Sequence, residues 1–175
     1  AQQHLLEAIR TRPDFLDAYI NLGRLYEDGN LIEDAIRCYT RIVDLEPGHQ
    51  VAMLNLARAL IKDQQTITAQ VYLKRLLDMN PENGAAITGL GDIKILQGKF
   101  SEAEALFNKA LGINPAEYSA CFGLSKCRRF TAEDRDFIQK LEDANHLNVS
   151  VNFALGKVYD DLGNYDKAFD YYQQA

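Results

Sequence analysis

The residues of this chain that could carry out nucleophilic catalysis or bind a metal are its cysteines and histidines. They lie far apart, and the closest cysteine pair does not have the spacing of a zinc site. We therefore expect neither a metal nor a cofactor. The six residues are Cys38, Cys121, Cys127, His4, His49 and His146.

Neighbouring carboxylates are the remaining candidates for acid–base chemistry. They occur at Glu27–Asp28, Glu102–Glu104 and Asp160–Asp161. Each group falls on a solvated helix face or turn of the predicted pattern, where nothing is expected to shift a carboxyl pKa. The sequence also has no Gly-rich phosphate loop, no His-Glu-x-x-His and no Gly-x-Ser-x-Gly. The chain by itself is therefore predicted not to be an enzyme.

Composition and net charge narrow the classes of function that remain open. The chain has 175 residues, 47% of them hydrophobic, and a net charge of −6, which argues against nucleic-acid binding through overall positive potential. No apolar stretch is long enough for membrane insertion, and residues 1–4 do not begin a secretory signal. Cysteines within helical patterns fit a reducing compartment, so we expect a cytoplasmic location. The missing initiator Met indicates a fragment of a longer chain.

The elements that position these side chains repeat along the sequence. All four prolines recur in equal steps of 34 residues, at Pro13, Pro47, Pro81 and Pro115. Leucines keep the same step at Leu22, Leu56, Leu90 and Leu124. A strict period of this length is typical of a solenoid.

Each repeat has the pattern of two amphipathic helices. The first helix carries its apolar stripe at Tyr19, Leu22, Gly23 and Tyr26. Gly29 and Asn30 then break the helix, because both tolerate left-handed backbone angles. In the second helix, the small Ala35 should let the helices approach closely while Tyr39 fills the space beside them. We predict an all-α fold with nine to eleven helices and no sheet.

This pattern resembles the tetratricopeptide repeat (TPR) family. The family's aromatic, Leu-Gly, Tyr, Ala, aromatic and Pro positions are matched by Tyr19, Leu22, Gly23, Tyr26, Ala35, Tyr39 and Pro47. The resemblance implies a right-handed α-solenoid of antiparallel helix pairs, the TPR superhelix. Residues 1–175 would form a single array, with a partial repeat at 1–14, full repeats at 15–48, 49–82 and 83–116, a degenerate repeat at 117–147 and a truncated repeat at 148–175.

The degenerate repeat departs from the family pattern in two ways. Ser125 and Arg128 replace the usual Gly and Tyr, and about three residues are missing around Phe130 and Thr131. Both changes are expected to weaken its packing. Thr131, followed three residues later by Asp134, is predicted to cap the next helix.

The family register implies that the first helix of each repeat lines a concave groove. That register places a mostly basic column at Arg24, Arg58, Asp92, Lys126 and Lys157, with Lys62 and Arg129 one turn away from two of its members. Phe122 and Phe153 precede the last two lysines by four residues, and Asn21 and Asn55 begin a second column. These eleven residues are the predicted partner-binding groove, and the partner is a protein or peptide of acidic character. The competing interpretation is that they are ordinary solubilising charges.

Three functions remain open at this point. The first is a protein–protein interaction scaffold that binds a peptide or protein in the groove. The second is the substrate-recruiting region of a larger sulfotransferase- or glycosyltransferase-like enzyme, because residues 153–169 resemble closing repeats that precede a sulfotransferase-like domain in bacterial TPR proteins. The third is a self-assembly module, in which exposed solenoid ends make a homo-oligomer.

Overall fold

A computed structural model describes residues 2–144 and 149–175, and these residues form eleven helices and no strand. The all-α fold of paired helices is therefore confirmed. His146 and the predicted repeat boundary at residues 147–148 lie outside the described residues. The helices are α1 (Gln2–Thr11), α2 (Leu16–Asp28), α3 (Ile32–Leu45), α4 (Gln50–Lys62), α5 (Thr66–Met79), α6 (Gly84–Leu96), α7 (Phe100–Ile113), α8 (Tyr118–Cys127), α9 (Arg135–Ala144), α10 (Val149–Asp161) and α11 (Tyr165–Gln174).

The helices group into two compact units, Ala1–Pro81 and Glu82–Ala175. Unit 1 contains α1 to α5, and unit 2 contains α6 to α11. Within the described ranges, no helix has both the length and the apolar character needed to span a bilayer.

Side chains at helix starts explain where several helices begin. His49 Nδ1 accepts a hydrogen bond from the backbone N–H of Ala52 at 3.1 Å, and Asn83 Oδ1 accepts one from Ala86 at 3.0 Å. Each bond satisfies a donor that the first helical turn leaves without a partner. The sequence therefore encodes the starts of α4 and α6 locally.

Four of the turns inside the helix pairs contain one left-handed residue each, and the turn between α8 and α9 contains none. The predicted break at Gly29 and Asn30 is present, but only Asn30 is left-handed. Asn30 has φ 57° and Gln64 has φ 61°, whereas Gly29 lies at φ −83°. The break after α2 therefore depends on Asn30, whose short polar side chain tolerates this region. The equivalent turns of unit 2 use glycine, at Gly98 and Gly163.

The core of unit 1 is built around a buried tyrosine. Tyr39 is fully buried, and a Cβ added at Gly23 would lie 2.5 Å from its ring. The predicted close approach of α2 and α3 is therefore present. The Tyr39 hydroxyl donates to Glu27 Oε2 at 2.8 Å, and burial, followed by this hydrogen bond, raises the pKa of the tyrosine.

The core of unit 2 has a phenylalanine in the corresponding place. Phe107 of α7 is fully buried, and a Cβ at Gly91 of α6 would lie 2.5 Å from its ring. A Cβ at Gly123 of α8 would overlap the same ring. One side chain therefore holds three helices together, and two glycines provide the room that it needs.

The degenerate repeat is repacked rather than merely weakened. Within the described residues, α9 packs more closely against α10 than against α8, and residues of α8 and α9 line a pocket of about 140 Å³. Phe130, in the shortened connection, is buried and stacks on Phe137 with ring centroids 5.3 Å apart. The shortened connection therefore contributes a buried aromatic residue to the packing of this repeat.

The predicted pairing of Thr131 and Asp134 is present, but it lies just before α9. The Thr131 N–H donates to Asp134 at 2.9 Å and its hydroxyl accepts from the Glu133 N–H at 3.3 Å, within a turn that precedes the helix start at Arg135. Ser125, which replaces the usual glycine, is fully buried, and its hydroxyl donates to the Phe122 carbonyl at 2.7 Å, so its polar group is satisfied.

Candidate functional site

The predicted groove residues of unit 1 differ in how open they are. Asn21 and Arg24 of α2 are exposed, as is Arg58 of α4. Asn55 is only half-exposed, and its Nδ2 is covered by protein atoms without a hydrogen-bond partner among the described residues. The asparagine column is therefore not an open peptide-binding ladder at Asn55.

Lys62, the remaining basic residue of the predicted groove in unit 1, has a structural partner. Lys62 Nζ lies 2.9 Å from Glu27 Oε1, the same carboxylate that accepts from Tyr39. This ion pair joins α4 to α2, and it offsets part of the positive charge of Lys62, whose side chain is 55% exposed.

In unit 2, two phenylalanines predicted from the sequence meet. The rings of Phe122 on α8 and Phe153 on α10 have centroids 5.6 Å apart, and Phe153 is 39% exposed. Lys126 Nζ lies 3.8 Å from the centre of the Phe122 ring, a cation–π contact. Tyr172 of α11 extends the aromatic group, 6.4 Å from Phe153.

A basic pocket lies next to this aromatic pair. Its volume is about 460 Å³, and its lining includes Lys126, Arg128, Arg129 and Lys157 together with the carboxylate of Asp161. We call the five predicted residues here the aromatic–basic surface: Phe122, Lys126, Arg129, Phe153 and Lys157. The structure therefore brings together the unit 2 residues selected from the sequence, apart from Asp92.

Asp92 on α6 is half-buried, and it lies close enough to act electrostatically on Cys127, which lines the pocket. Burial raises the pKa of the Cys127 thiol, and Glu104 and Asp92 add to that effect. Asp92 therefore lowers the positive potential that Lys126 and its neighbours create.

The two arginines after α8 are held by specific contacts. Arg129 is not one helical turn beyond Lys126 as predicted, because α8 ends at Cys127 and the backbone is extended at Arg128. Arg129 Nη2 instead donates to the Asp161 carbonyl at 3.3 Å. It still reaches the pocket, through the turn and not along the helix.

Arg128 is a structural residue that sequence reasoning treated as a packing defect. It pairs with Asp134 at 2.6 Å and with Glu104 at 3.3 Å, and its guanidinium lies over the Phe130 ring. The hydrogen bond to Arg128 is the main cause of the lowered pKa of Asp134. The arginine therefore replaces the missing helical packing with ion pairs and stacking.

Asp161 is the residue of this site that sequence reasoning placed on a solvated face. Its side chain is 8% exposed, pairs with Lys157, and accepts the Phe130 backbone N–H at 3.1 Å. It therefore connects α10 to the shortened segment after α8. The adjacent pair Asp160–Asp161 gives no sequence signal of this contact, because the two partners are far apart in the chain.

We expect Asp161→Ala to lower the free energy of unfolding by about 1–3 kcal/mol, because it leaves the Phe130 N–H without an acceptor. Asp161→Asn keeps an acceptor oxygen and should lose clearly less. Urea denaturation of both variants measures this difference. Equal losses would show that the charge, and not the hydrogen bond to Phe130, matters.

The cysteines of the described residues have no features of nucleophiles. All three are free thiols, and burial raises the pKa of Cys38 and of Cys121 to about 11. Such thiols are protonated at neutral pH. The described ranges also contain no group of three metal-ligating side chains.

Among the neighbouring carboxylates named from the sequence, Glu102 departs from the expectation of an unperturbed pKa. Its pKa is lowered, mainly by its hydrogen bond with Lys94. The group is exposed, so this is a surface ion pair and not the signature of a catalytic acid.

Family models described as tetratricopeptide repeats match residues 16–49, 60–127 and 149–175. A comparison with curated proteins gave no significant match. Solved structures are similar in fold. A tetratricopeptide repeat protein from Parabacteroides merdae is 16% identical and has a TM-score of 0.78, over 99% of this chain and 69% of that one.

Two further structures show the same likeness. A thermophilic TPR protein of Thermus thermophilus is 18% identical with a TM-score of 0.73, over 91% of this chain and 89% of that one. YrrB, described as a TPR protein with an unusual peptide-binding site, is 18% identical with a TM-score of 0.58, over 99% of this chain and 94% of that one. At these identities the likeness concerns the fold alone.

Proposed function

Because the chain belongs to the tetratricopeptide repeat family and is accordingly a protein-interaction scaffold, we propose that unit 2 binds a segment of a partner protein on its aromatic–basic surface. The observation that carries this proposal is the pair of Phe122 and Phe153, which faces solvent in part beside a basic pocket. Exposed aromatic rings do not improve solubility, so their solvent exposure here supports a role in binding. They offer a large contact area that loses little conformational entropy on binding.

The charges beside the rings support the same interpretation. Lys126 is exposed, has no ion-pair partner in the part of the chain that the structure describes, and is oriented by its contact with Phe122. A cation held in place beside an apolar surface gives both affinity and orientation to a bound segment. In unit 1, the exposed Asn21, Arg24 and Arg58 are proposed as a separate set of partner contacts.

A photo-crosslinking experiment tests this proposal. We expect benzoylphenylalanine in place of Phe153 to crosslink the partner in cells, because the modified ring occupies the same partly exposed position. The matched control places the same group at Lys109, an exposed residue of α7. Crosslinked proteins are compared by mass spectrometry with and without the additional change Lys126→Glu.

The proposal requires a crosslinked species that is specific to position 153 and reduced by Lys126→Glu. Identical products from positions 153 and 109, or products that the charge reversal leaves unchanged, would exclude the aromatic–basic surface as the binding site.

A further inference from the structure

We infer that the aromatic–basic surface recognises an extended partner segment in which a single acidic side chain lies within two residues of a large apolar side chain, and that it does not recognise an acidic tract. This inference rests on the proposed function and specifies the chemistry of the partner. It departs from the expectation of a broadly electropositive groove. Three features of unit 2 carry it: the balance of charge, the apolar contact area and the direct contact between the free Lys126 cation and that apolar area.

The charge around the pocket is mostly balanced already. Lys157 is paired with Asp161, and Arg128 with Asp134 and Glu104. These contacts compensate two of the four cations that line the pocket.

Two cations remain for a ligand. Lys126 and Arg129 both line the pocket, and neither has an ion-pair partner in the described ranges. Arg129 uses one donor on the Asp161 carbonyl and keeps the others. One carboxylate placed between these two side chains would receive charge-assisted hydrogen bonds from both.

A second or third carboxylate would meet repulsion. The fixed charges of Asp161, Glu104 and Asp134 surround the basic side chains, and Asp92 lies near enough to raise the pKa of Cys127. Like charges placed together at a partly desolvated surface cost binding energy. An acidic tract would therefore gain one favourable contact and several unfavourable ones.

The apolar part of the segment is positioned by the ring pair. Phe122 and Phe153 lie on neighbouring helices with centroids 5.6 Å apart, and a Leu- or Met-sized side chain resting on them contacts both. Lys126 Nζ lies 3.8 Å from the centre of the Phe122 ring, so the free cation directly adjoins this apolar contact area. Side chains of adjacent or alternate residues of an extended peptide are close enough to reach both at once. The apolar residue and the acid are therefore expected within two positions of each other.

Selection from a random heptapeptide library displayed on phage, with the full chain as bait, tests the inference. We expect enriched peptides to share a large apolar residue with a single Asp or Glu within two positions of it. The best peptide is then synthesised, together with a version in which its acid is changed to the amide. Binding is measured by fluorescence polarisation.

The variants identify the contacts. Lys126→Met should bind the peptide about tenfold more weakly, and the acid-to-amide change in the peptide should then cost nothing further. Lys109→Met on α7 removes an equally exposed lysine and should bind like the unchanged chain. Phe153→Ala should lose the preference for a large apolar residue. If circular dichroism shows that this variant loses helicity, Phe153→Leu replaces it.

The outcomes separate this inference from the proposed function. Enrichment of acidic tracts, or an acid-to-amide effect that Lys126→Met leaves intact, would overturn the inference while peptide binding itself stands. If no peptide is enriched, or if enriched peptides bind equally to all the variants, the inference and the proposed binding surface are both wrong.

Discussion

Replacing Phe107 with alanine is expected to lower the free energy of unfolding by about 3–5 kcal/mol, the usual cost of removing a large buried aromatic side chain. Phe107 is fully buried and fills the space left by Gly91 on α6 and Gly123 on α8, so its loss opens a cavity between three helices. Urea denaturation measures the change. The matched control is Phe100→Ala in the same helix, because Phe100 is 46% exposed and its loss should cost less than about 1 kcal/mol.

A second substitution shows whether the glycine and the ring are complementary. Gly91→Ala should destabilise the unchanged chain, because the new methyl group would overlap the Phe107 ring. In the Phe107→Ala background the same change should stabilise, because the methyl group now occupies the cavity and alanine favours a helix by about 1 kcal/mol over glycine. If Gly91→Ala has the same sign in both backgrounds, Gly91 and Phe107 do not pack against each other in unit 2.

Hydrogen exchange should divide unit 2 into two parts. We expect backbone amides of α9 to exchange at least about a hundredfold faster than those of α7, since opening free energies follow local packing. Three residues of α7 are fully buried, whereas α9 buries only Ile138 and Leu141, and two pockets of about 140 and 340 Å³ adjoin it. Exchange measured by mass spectrometry gives the rates for each helix.

Helix α8 is the control for this comparison. It is ten residues long, like α9, but it has five buried residues and packs against α6, α7 and α10. If exchange depends on packing, α8 should resemble α7. If α8 exchanges as fast as α9, helix length and not packing sets the exchange rates.

The sequence alone was sufficient to predict the helix pairs and the residues at their interfaces. Strict recurrence of small and aromatic residues, such as Gly23, Ala35 and Tyr39, reports local packing that each repeat makes with its own two helices. Such contacts join residues close in the chain, so a pattern of types and spacing is enough to identify them.

The candidate site was predicted only in part. Phe122 and Phe153 were identified because they share a register position, and the register determines which helix face they occupy. Their neighbours Lys126 and Lys157 were also identified, but the partners that decide their free charge were not. The contact between Asp161 and Phe130 joins two segments through a shortened connection that has no repeat pattern to follow.

Contacts in the core are predictable from the sequence and net surface charge is not, for one physical reason. Periodicity determines the faces of helices, and therefore the core, because burial of apolar surface depends on residue type and spacing. Net charge at a surface depends on which flexible side chains meet, and only tertiary structure decides that Lys62 pairs with Glu27 and Lys157 with Asp161 while Lys126 rests on a phenyl ring. Sequence by itself thus determined a helical-repeat scaffold and the basic and aromatic residues of unit 2 that lie together; the tertiary structure decided how much of that positive charge remains available to a partner.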